Sequence, residues 1–327
     1  MKDEGPFILE WIAWNQMIGV NHFIVMTNDC SDGTDLILDR LDEMGIVTHL
    51  PNPVMLLDGG SVHSIALRYA QHLRVYRQAD WIFHTDVDEF LNIHTAEGDL
   101  PSLVAAAGNA EGQVDAISIC ETLLGCGGVE GFVDEPVTRQ FLHGMRRHAL
   151  QGEERRGVKT LFRNKNLWRG RKNHRPIVKR NQIGQVRWTD GSGKPAPEEF
   201  VNGKEPGLDC NGRYGLAALH HYSVRSMESL LAKLRRGDAV KSNRTKGWKY
   251  WRKRNQNIEP NDDMLAKQPA LAKEIARLKA DPILSDLHAR AVTQHKHQIA
   301  EMLVDAEMQE MIEFYRRTIW GDPDFAK

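Results

Sequence analysis

The segment Trp81-Ile-Phe-His-Thr-Asp86-Val-Asp88-Glu89-Phe90 passes from apolar strand formers to three acids within ten residues. Residues 81–85 read as a strand, and Asp86 stands where that strand ends. Upstream the same pattern recurs. Residues 22–27 (HFIVMT) form a short strand-like run that opens into the polar turn Thr27-Asn-Asp-Cys-Ser-Asp-Gly-Thr34. Thr34 is placed to cap a helix over 34–44, whose Leu36, Ile37, Leu41 and Met44 share one face, and Gly45 stops it. Residues 46–50 make a further strand, and Val62, Ile65, Tyr69, Leu73 and Tyr76 stripe a long helix over 61–78. Nearer the start, Phe7, Ile8, Trp11, Ile12 and Trp14 fall near helical spacing between Pro6 and Gly19. This alternation predicts an α/β fold with a mostly parallel, Rossmann-like sheet flanked by helices, and it sets the acids at the sheet's ligand-binding edge.

Downstream, residues 114–119 read as one more strand, after which Gly-rich and basic loops run to about Tyr222. From Ser226 onward helix formers dominate, over 227–236, 263–279 and 283–317. The expected division is an α/β domain over 1–225 and a helical extension over 226–327. No run of ~20 apolar residues is present, so no helix is expected to span a bilayer. The N-terminus lacks the apolar core of a secretory signal. Cys30, Cys120, Cys126 and Cys210 lack zinc-ligand spacing and are too few for a disulfide scaffold, so a reduced, cytoplasmic setting is expected.

The formal net charge is −1, yet the bases are clustered. Residues 139–187 hold fifteen Lys and Arg against Glu153 and Glu154, and residues 235–254 hold nine against Asp238, with Trp248, Tyr250 and Trp251 among them. Such blocks meet phosphates, acidic polymers or anionic lipid, so the second block is expected to touch the inner face of a membrane peripherally. No nucleic-acid partner is expected.

Asp86 and Asp88, two apart in an extended turn, point the same way and can converge on one hard cation, Mn²⁺ or Mg²⁺. In the 27–34 turn, Asn28 and Asp32 either bond their own backbone or reach a ribose or base. In His220-His221-Tyr222-Ser223, His221 is the better candidate for a late metal ligand, and His220 is expected to be structural. A ligand role requires a neutral imidazole, so metal affinity would fall as pH drops through the ordinary histidine range near ~6.5. Lys159, Arg163 and Arg175 have the chemistry to neutralise a departing diphosphate.

Taken together, the motifs resemble a family 2 glycosyltransferase of the GT-A fold. The resemblance rests on Lys2-Asp3-Glu4 with Leu9-Glu10-Trp11, on Asn28 through Thr34, on Asp86-Val87-Asp88-Glu89-Phe90 and on His221-Tyr222-Ser223-Val224-Arg225-Ser226, covering roughly residues 1–230. It implies a nucleoside-diphosphate sugar as donor, with Asp86, Asp88 and His221 at the metal. Asp3, Glu4, Asn28 and Asp32 are then the expected donor contacts, joined by Arg68, Asp86, Lys159 and Arg163. The acceptor is a glycan, a lipid-linked sugar or a protein. The family's first strand would precede Lys2, where this chain carries none. Transfer with inversion needs a carboxylate beside the acceptor hydroxyl, and Glu121, Asp134, Glu135 and Asp190 all qualify.

Two rivals stand beside this reading. A Mg²⁺-dependent phosphatase or phosphotransferase would use Asp86 as nucleophile and Asp88 as acid/base, although Phe90 stands where that superfamily carries a small residue. A polyanion-binding protein would use the basic blocks but leaves the acids unexplained.

Overall fold

The computed structural model describes residues 1–54, 60–108, 113–152, 154–236 and 247–321. Its largest sheet has six strands, in the order Trp81–Phe83, Val158–Arg163, Ala116–Leu123, Ala217–His221 and Glu89–Ile93, with Trp188–Asp190 also on Ala116–Leu123. Val158–Arg163 is antiparallel to both neighbours, and Glu89–Ile93 is antiparallel to Ala217–His221. Only Trp188–Asp190 and Ala217–His221 run parallel to Ala116–Leu123. The α/β class stands, but the mostly parallel sheet does not: the sheet is mixed and mainly antiparallel. Two of the strands responsible, Val158–Arg163 and Glu89–Ile93, carry Lys159, Thr160, Glu89 and Asn92 at buried positions. A search for apolar runs passes over such strands. The parallel βα unit survives where Phe23–Thr27 pairs with Val47–Pro51 around helix Thr34–Glu43.

Helix Gly5–Met17 follows the expected spacing, yet it is buried from Gly5 to Asn15 on every side. An all-round apolar helix belongs in a core. It packs against Gln268–Lys279 and Pro282–Leu303, whose Leu271, Leu278, Leu284 and Ala291 share one core with Ile8, Ile12, Phe90 and Ile117. A Cβ at Gly5 would lie 2.7 Å from the Ala291 Cβ, so the glycine permits that helix approach. The expected 61–78 helix is two, Val62–Ala70 and Arg74–Gln78, with Leu73 extended between them at ψ 143°. The 283–317 helix likewise divides into Pro282–Leu303 and Gln309–Arg317.

A second core joins Met227, Leu230 and Leu231 to Met302, Phe314 and Tyr315, and Trp251 stacks on Tyr315 at 4.2 Å. A third, on the sheet's far side, gathers Phe162, Trp168, Trp188 and Phe200 around a Cys120–Cys210 disulfide. The cysteines are fewer than a disulfide scaffold would need, as expected; one pair nevertheless closes. The two are 90 residues apart, and the antiparallel pairing of Leu208–Asp209 with Arg155–Arg156 brings Cys210 near Cys120. Closing a loop of that length restricts the unfolded chain by about 4–5 kcal/mol in the chain-entropy view. Cys30 and Cys126 are free thiols.

Buried polar anchors fix the loops that sequence patterns left unassigned. The Glu10 carboxylate, on the first helix, accepts from Val137 N at 2.8 Å, Thr138 N at 3.1 Å and Thr138 Oγ1 at 2.8 Å. It thus caps the short helix Val137–Gln140 from a distant element. Glu10→Ala leaves three enclosed donors unpaired and should cost about 3 kcal/mol. Urea unfolding of the variant checks this; a loss below about 1 kcal/mol would mean that the anchor contributes little.

Candidate active site

A cavity of about 330 Å³ lies against Phe23–Thr27, helix Val62–Ala70 and the turn that follows Trp81–Phe83. Of the expected residues, Glu4, Asp86, Asp88 and His221 line it. Residues that sequence reasoning did not assign line it too: Lys2, His63, His84, Lys233 and Tyr250. Strand pairing explains how residues so far apart in sequence meet. His221 pairs with Glu89 across the antiparallel ladder and with Leu123 across the parallel one, so a late strand is threaded beside the acidic turn.

Behind the cavity wall, Lys159 is almost wholly enclosed, with a side chain 1% exposed. Its Nζ lies 2.8 Å from Asp86 Oδ2 and 3.1 Å from Glu89 Oε2, while Glu89 Oε2 also accepts from the Asp86 N–H at 2.9 Å. One ammonium therefore serves two carboxylates. Burial opposes charge on Asp86, but Lys159 outweighs it and holds the carboxyl well below the usual range. Glu89, enclosed and facing Asp86, is pushed up by burial to about 7 despite Lys159. His84, at the cavity wall, is lowered to about 4 by burial and by Lys159, so it stands neutral.

His221 is held from behind in a similar way. Its Nδ1 bonds Glu121 Oε1, and Arg254 Nη1 lies 2.5 Å from the same oxygen. This leaves Nε2 facing Asp88 Oδ1 at 3.5 Å. Burial opposes a charged imidazole, but Asp88, Glu121 and Glu89 together raise His221 well above the ordinary value. Protons therefore compete for this ring at a higher pH than the ~6.5 expected from an isolated histidine. Burial likewise opposes charge on Asp88, but Lys233 and His221 hold it well below the carboxylate range. On the opposite side, Arg225 Nη1 lies 2.7 Å from Glu4 Oε2 and stacks its guanidinium over Phe7 at 3.6 Å.

Among the described residues, no group of three or more His, Cys, Asp and Glu donors forms a metal cage. The wall instead offers a two-donor edge, Asp88 Oδ1 and His221 Nε2. Their 3.5 Å separation fits two ligands on one cation with ~2.0–2.2 Å bonds. Hard divalent ions of this kind are commonly held by one or two protein carboxylates plus substrate phosphates; Asp88 supplies such a carboxylate, and the imidazole nitrogen suits Mn²⁺ better than Mg²⁺. Asp86 Oδ2 is taken by Lys159, which makes Asp86 the weaker of the two expected aspartate ligands.

Several expected contacts lie elsewhere. Asp32 spends its carboxylate on Gly5 N and Thr34 N, each at 2.9 Å, and on Thr34 Oγ1 at 2.6 Å, which ties the 28–34 turn to the first helix. Asp3 accepts from Ser31 N at 2.6 Å in the same junction, and Asn28 is half-buried off the cavity wall. Arg68 is exposed; its helix presents His63, Ala66, Leu67 and Ala70 to the cavity instead. Lys159 stands behind the wall, and Arg163 packs over Trp81 at 5.3 Å. Arg175 bonds the Phe200 and Glu205 carbonyls.

Of the four expected base candidates, none lines the cavity. Asp190 is completely buried and accepts from Ser192 N at 2.7 Å, from Lys194 N at 3.2 Å and from Arg213. Glu121 sits behind His221, and Asp134 pairs with His288 at 3.2 Å. Glu135 is exposed. His220, expected to be a structural hydrogen-bonder, is buried, and among the described residues neither of its ring nitrogens has a hydrogen-bond partner, so that expectation is corrected.

The aromatic residues of the 235–254 block do not face outward. Trp251 is buried, Trp248 packs on Phe314 and Tyr250 lines the cavity; residues 237–246 of the block lie outside the described residues. The missed residues carried a partial signal. Lys233 follows the His221–Ser226 motif on a helix, and Arg254 ends the basic block, but only the fold shows that both reach the acids.

Residues 4–109 match the family model "Glycosyltransferase family 92". Two similar curated proteins carry the same family in their names. One, from Ricinus communis, is 26% identical over 97 residues, which is 29% of this chain and 16% of the relative. The other, from Oryza sativa subsp. japonica, is 24% identical over 94 residues, 28% of this chain and 15% of the relative. The chain thus aligns with about one-sixth of each relative's length. The matching family is 92, not the family 2 that the motifs resemble. The matched stretch contains Glu4, Asp86 and Asp88, and it ends before His221 and Lys233. These likenesses support a glycosyltransferase.

The buried ammonium gives the site a direct test. Lys159→Met leaves the enclosed Glu89 and the partly exposed Asp86 without their cation and should cost about 2–3 kcal/mol, less than a fully buried pair because water screens Asp86. Adding Glu89→Gln should return part of that loss by removing one of the charges. If both proteins unfold at the wild-type urea midpoint, the acidic turn does not depend on Lys159.

Proposed function

We propose that this chain is a glycosyltransferase that binds a nucleoside-diphosphate sugar in the cavity and passes the sugar to an acceptor hydroxyl. The observation that carries the reading is the meeting of Asp88 and His221 at one wall of the cavity, with Asp88 inside the stretch similar to family 92. In this reading Asp88 and His221 hold Mn²⁺ or Mg²⁺, which when bound neutralises charge on the diphosphate.

The chain's own residues prepare that arrangement. Glu121, tied to Arg254, accepts from His221 Nδ1 and so presents Nε2 to the cavity. A carboxylate behind a ligating imidazole fixes its tautomer and raises its basicity. Glu121, one of the four base candidates, is therefore a positioning residue in this proposal. Lys159 keeps Asp86 ionised and turned to the cavity, where a carboxylate suits the hydroxyls of a ribose. The apolar side, with Trp11, Ile24, Val25, Ala66 and Leu67, gives a nucleoside a dry wall. The proposed reaction is a single displacement with inversion at the anomeric carbon. In it solvent water takes the acceptor proton in place of the carboxylate expected from sequence, since none of the four candidates lines the cavity. A phosphoryl-transfer role for Asp86 finds no support in the family likeness, and its Oδ2 is already bonded to Lys159.

Two variants test the reading. Asp88→Asn and His221→Ala should each lower release of nucleoside diphosphate from a panel of UDP- and GDP-sugars by at least about 100-fold. Both should weaken Mn²⁺ binding measured by calorimetry with UDP present. Wild-type turnover by folded His221→Ala at limiting Mn²⁺ would remove the histidine from the proposal, and the same result for Asp88→Asn would remove the site. The anomeric configuration of the product, read by NMR, decides inversion.

A further inference from the structure

We propose that Lys233 is a further catalytic residue, the ammonium that takes charge from the leaving diphosphate. This rests on the donor chemistry proposed above and adds a group from the helical C-terminal part of the chain, outside the stretch similar to family 92.

Two lysines meet the acids of this site, and the structure holds them differently. Lys159 is clamped, with carboxylate oxygens at 2.8 and 3.1 Å and a side chain 1% exposed. Lys233 lies 3.5 Å from Asp88 Oδ2 and 3.9 Å from Glu4 Oε1, with a side chain 27% exposed at the cavity wall. Charge-assisted hydrogen bonds to carboxylates run near 2.7–2.9 Å, so Lys233 is attracted to both acids and tightly bonded to neither.

Each of those acids also has another cationic or imidazole partner. Glu4 keeps Arg225 at 2.7 Å, and Asp88 keeps His221 at 3.5 Å. Moving Lys233 onto a ligand therefore leaves neither carboxylate alone, whereas moving Lys159 would take the tightly bonded cation from both Asp86 and the enclosed Glu89. A compact ammonium on a flexible stem suits the terminal oxygens of a diphosphate, which it meets as a point charge. The helix Met227–Arg236 is fixed in the second core through Met227, Leu230 and Leu231, so the stem swings from a firm base.

In the reaction the bond from the anomeric carbon to the β-phosphate oxygen breaks, with its electron pair on that oxygen. The acceptor oxygen forms the new bond to the carbon, and its proton passes to solvent water. Negative charge on the β-phosphate grows as the bond breaks, so a cation there helps the transition state more than the bound donor.

Calorimetry on wild type, Lys233→Met and Lys233→Arg, with UDP, GDP, UMP and GMP in the presence of Mn²⁺, tests this. Lys233→Met should bind whichever diphosphate the wild type prefers about 10–100-fold more weakly, and the matching monophosphate within about 2-fold of wild type. Lys233→Arg should recover most of the diphosphate affinity. With a donor that turns over, kcat should fall more than KM rises. Equal losses for di- and monophosphate, or unchanged diphosphate binding with a lowered melting temperature, would make Lys233 a structural ion-pair partner and overturn the proposal. Failure of wild type to bind either diphosphate would overturn the donor reading itself, and this inference with it.

Discussion

One enclosed ammonium, that of Lys159, sets the form of the acidic turn. It comes from the middle of the sheet and holds the partly exposed Asp86 to the enclosed Glu89, two acids that would otherwise repel each other. The Asp86 backbone N–H also donates to Glu89, so the turn is closed by charge and hydrogen bonding at once. With Asp86 and Glu89 fixed, Val87 turns inward and Asp88 is left at the cavity wall opposite His221. Every further element of the site is placed relative to that turn. Buried charge is costly without partners, so the acids, Lys159 and the Glu121–Arg254 pair behind His221 depend on one another.

The sheet topology supplies what local sequence does not. Ala217–His221 enters between Ala116–Leu123 and Glu89–Ile93, parallel to the first and antiparallel to the second. That insertion brings Glu121, Glu89 and His221 together over more than a hundred residues of chain. Helix Gly5–Met17 lies beneath, sharing its core with C-terminal helices, and Glu4 at its start reaches the cavity beside Arg225 and Lys233. Residues from both ends of the chain thus complete a site whose acidic turn lies near residue 86.

Much of this was legible in the sequence, and the limits have physical causes. Helices Gly5–Met17, Thr34–Glu43 and Met227–Arg236 announce themselves by spacing, and Phe23–Thr27 and Val47–Pro51 by apolar runs. Thr34 is not the cap it was expected to be: Gly33 holds that position, and the Thr34 hydroxyl accepts from Glu4 N and donates to Asp32 instead. Asp86, Asp88, Glu4 and His221, all singled out from the sequence, line one cavity. Sheet direction was not legible, because Val158–Arg163 and Glu89–Ile93 bury charged and amide side chains that look like loop residues until their partners are known. For the same reason Asp32 read as a donor contact and Asp190 as a candidate base: an aspartate that bonds backbone amides has the same letter as one that binds a ribose or takes a proton. Arg68 missed the cavity by a rotation of one helix face, since the stripe that meets it is 63, 66, 67 and 70.

The central claim is that Asp88 and His221 form one edge of a cation site that carries the donor diphosphate. Anomalous diffraction at the manganese edge, from crystals grown with Mn²⁺ and UDP or GDP, tests it most directly. The account predicts one peak within ~2.0–2.3 Å of both Asp88 Oδ1 and His221 Nε2, with the diphosphate completing the coordination. A manganese peak elsewhere in the cavity, with His221 Nε2 still turned to Asp88 and bonded to no metal, would contradict it.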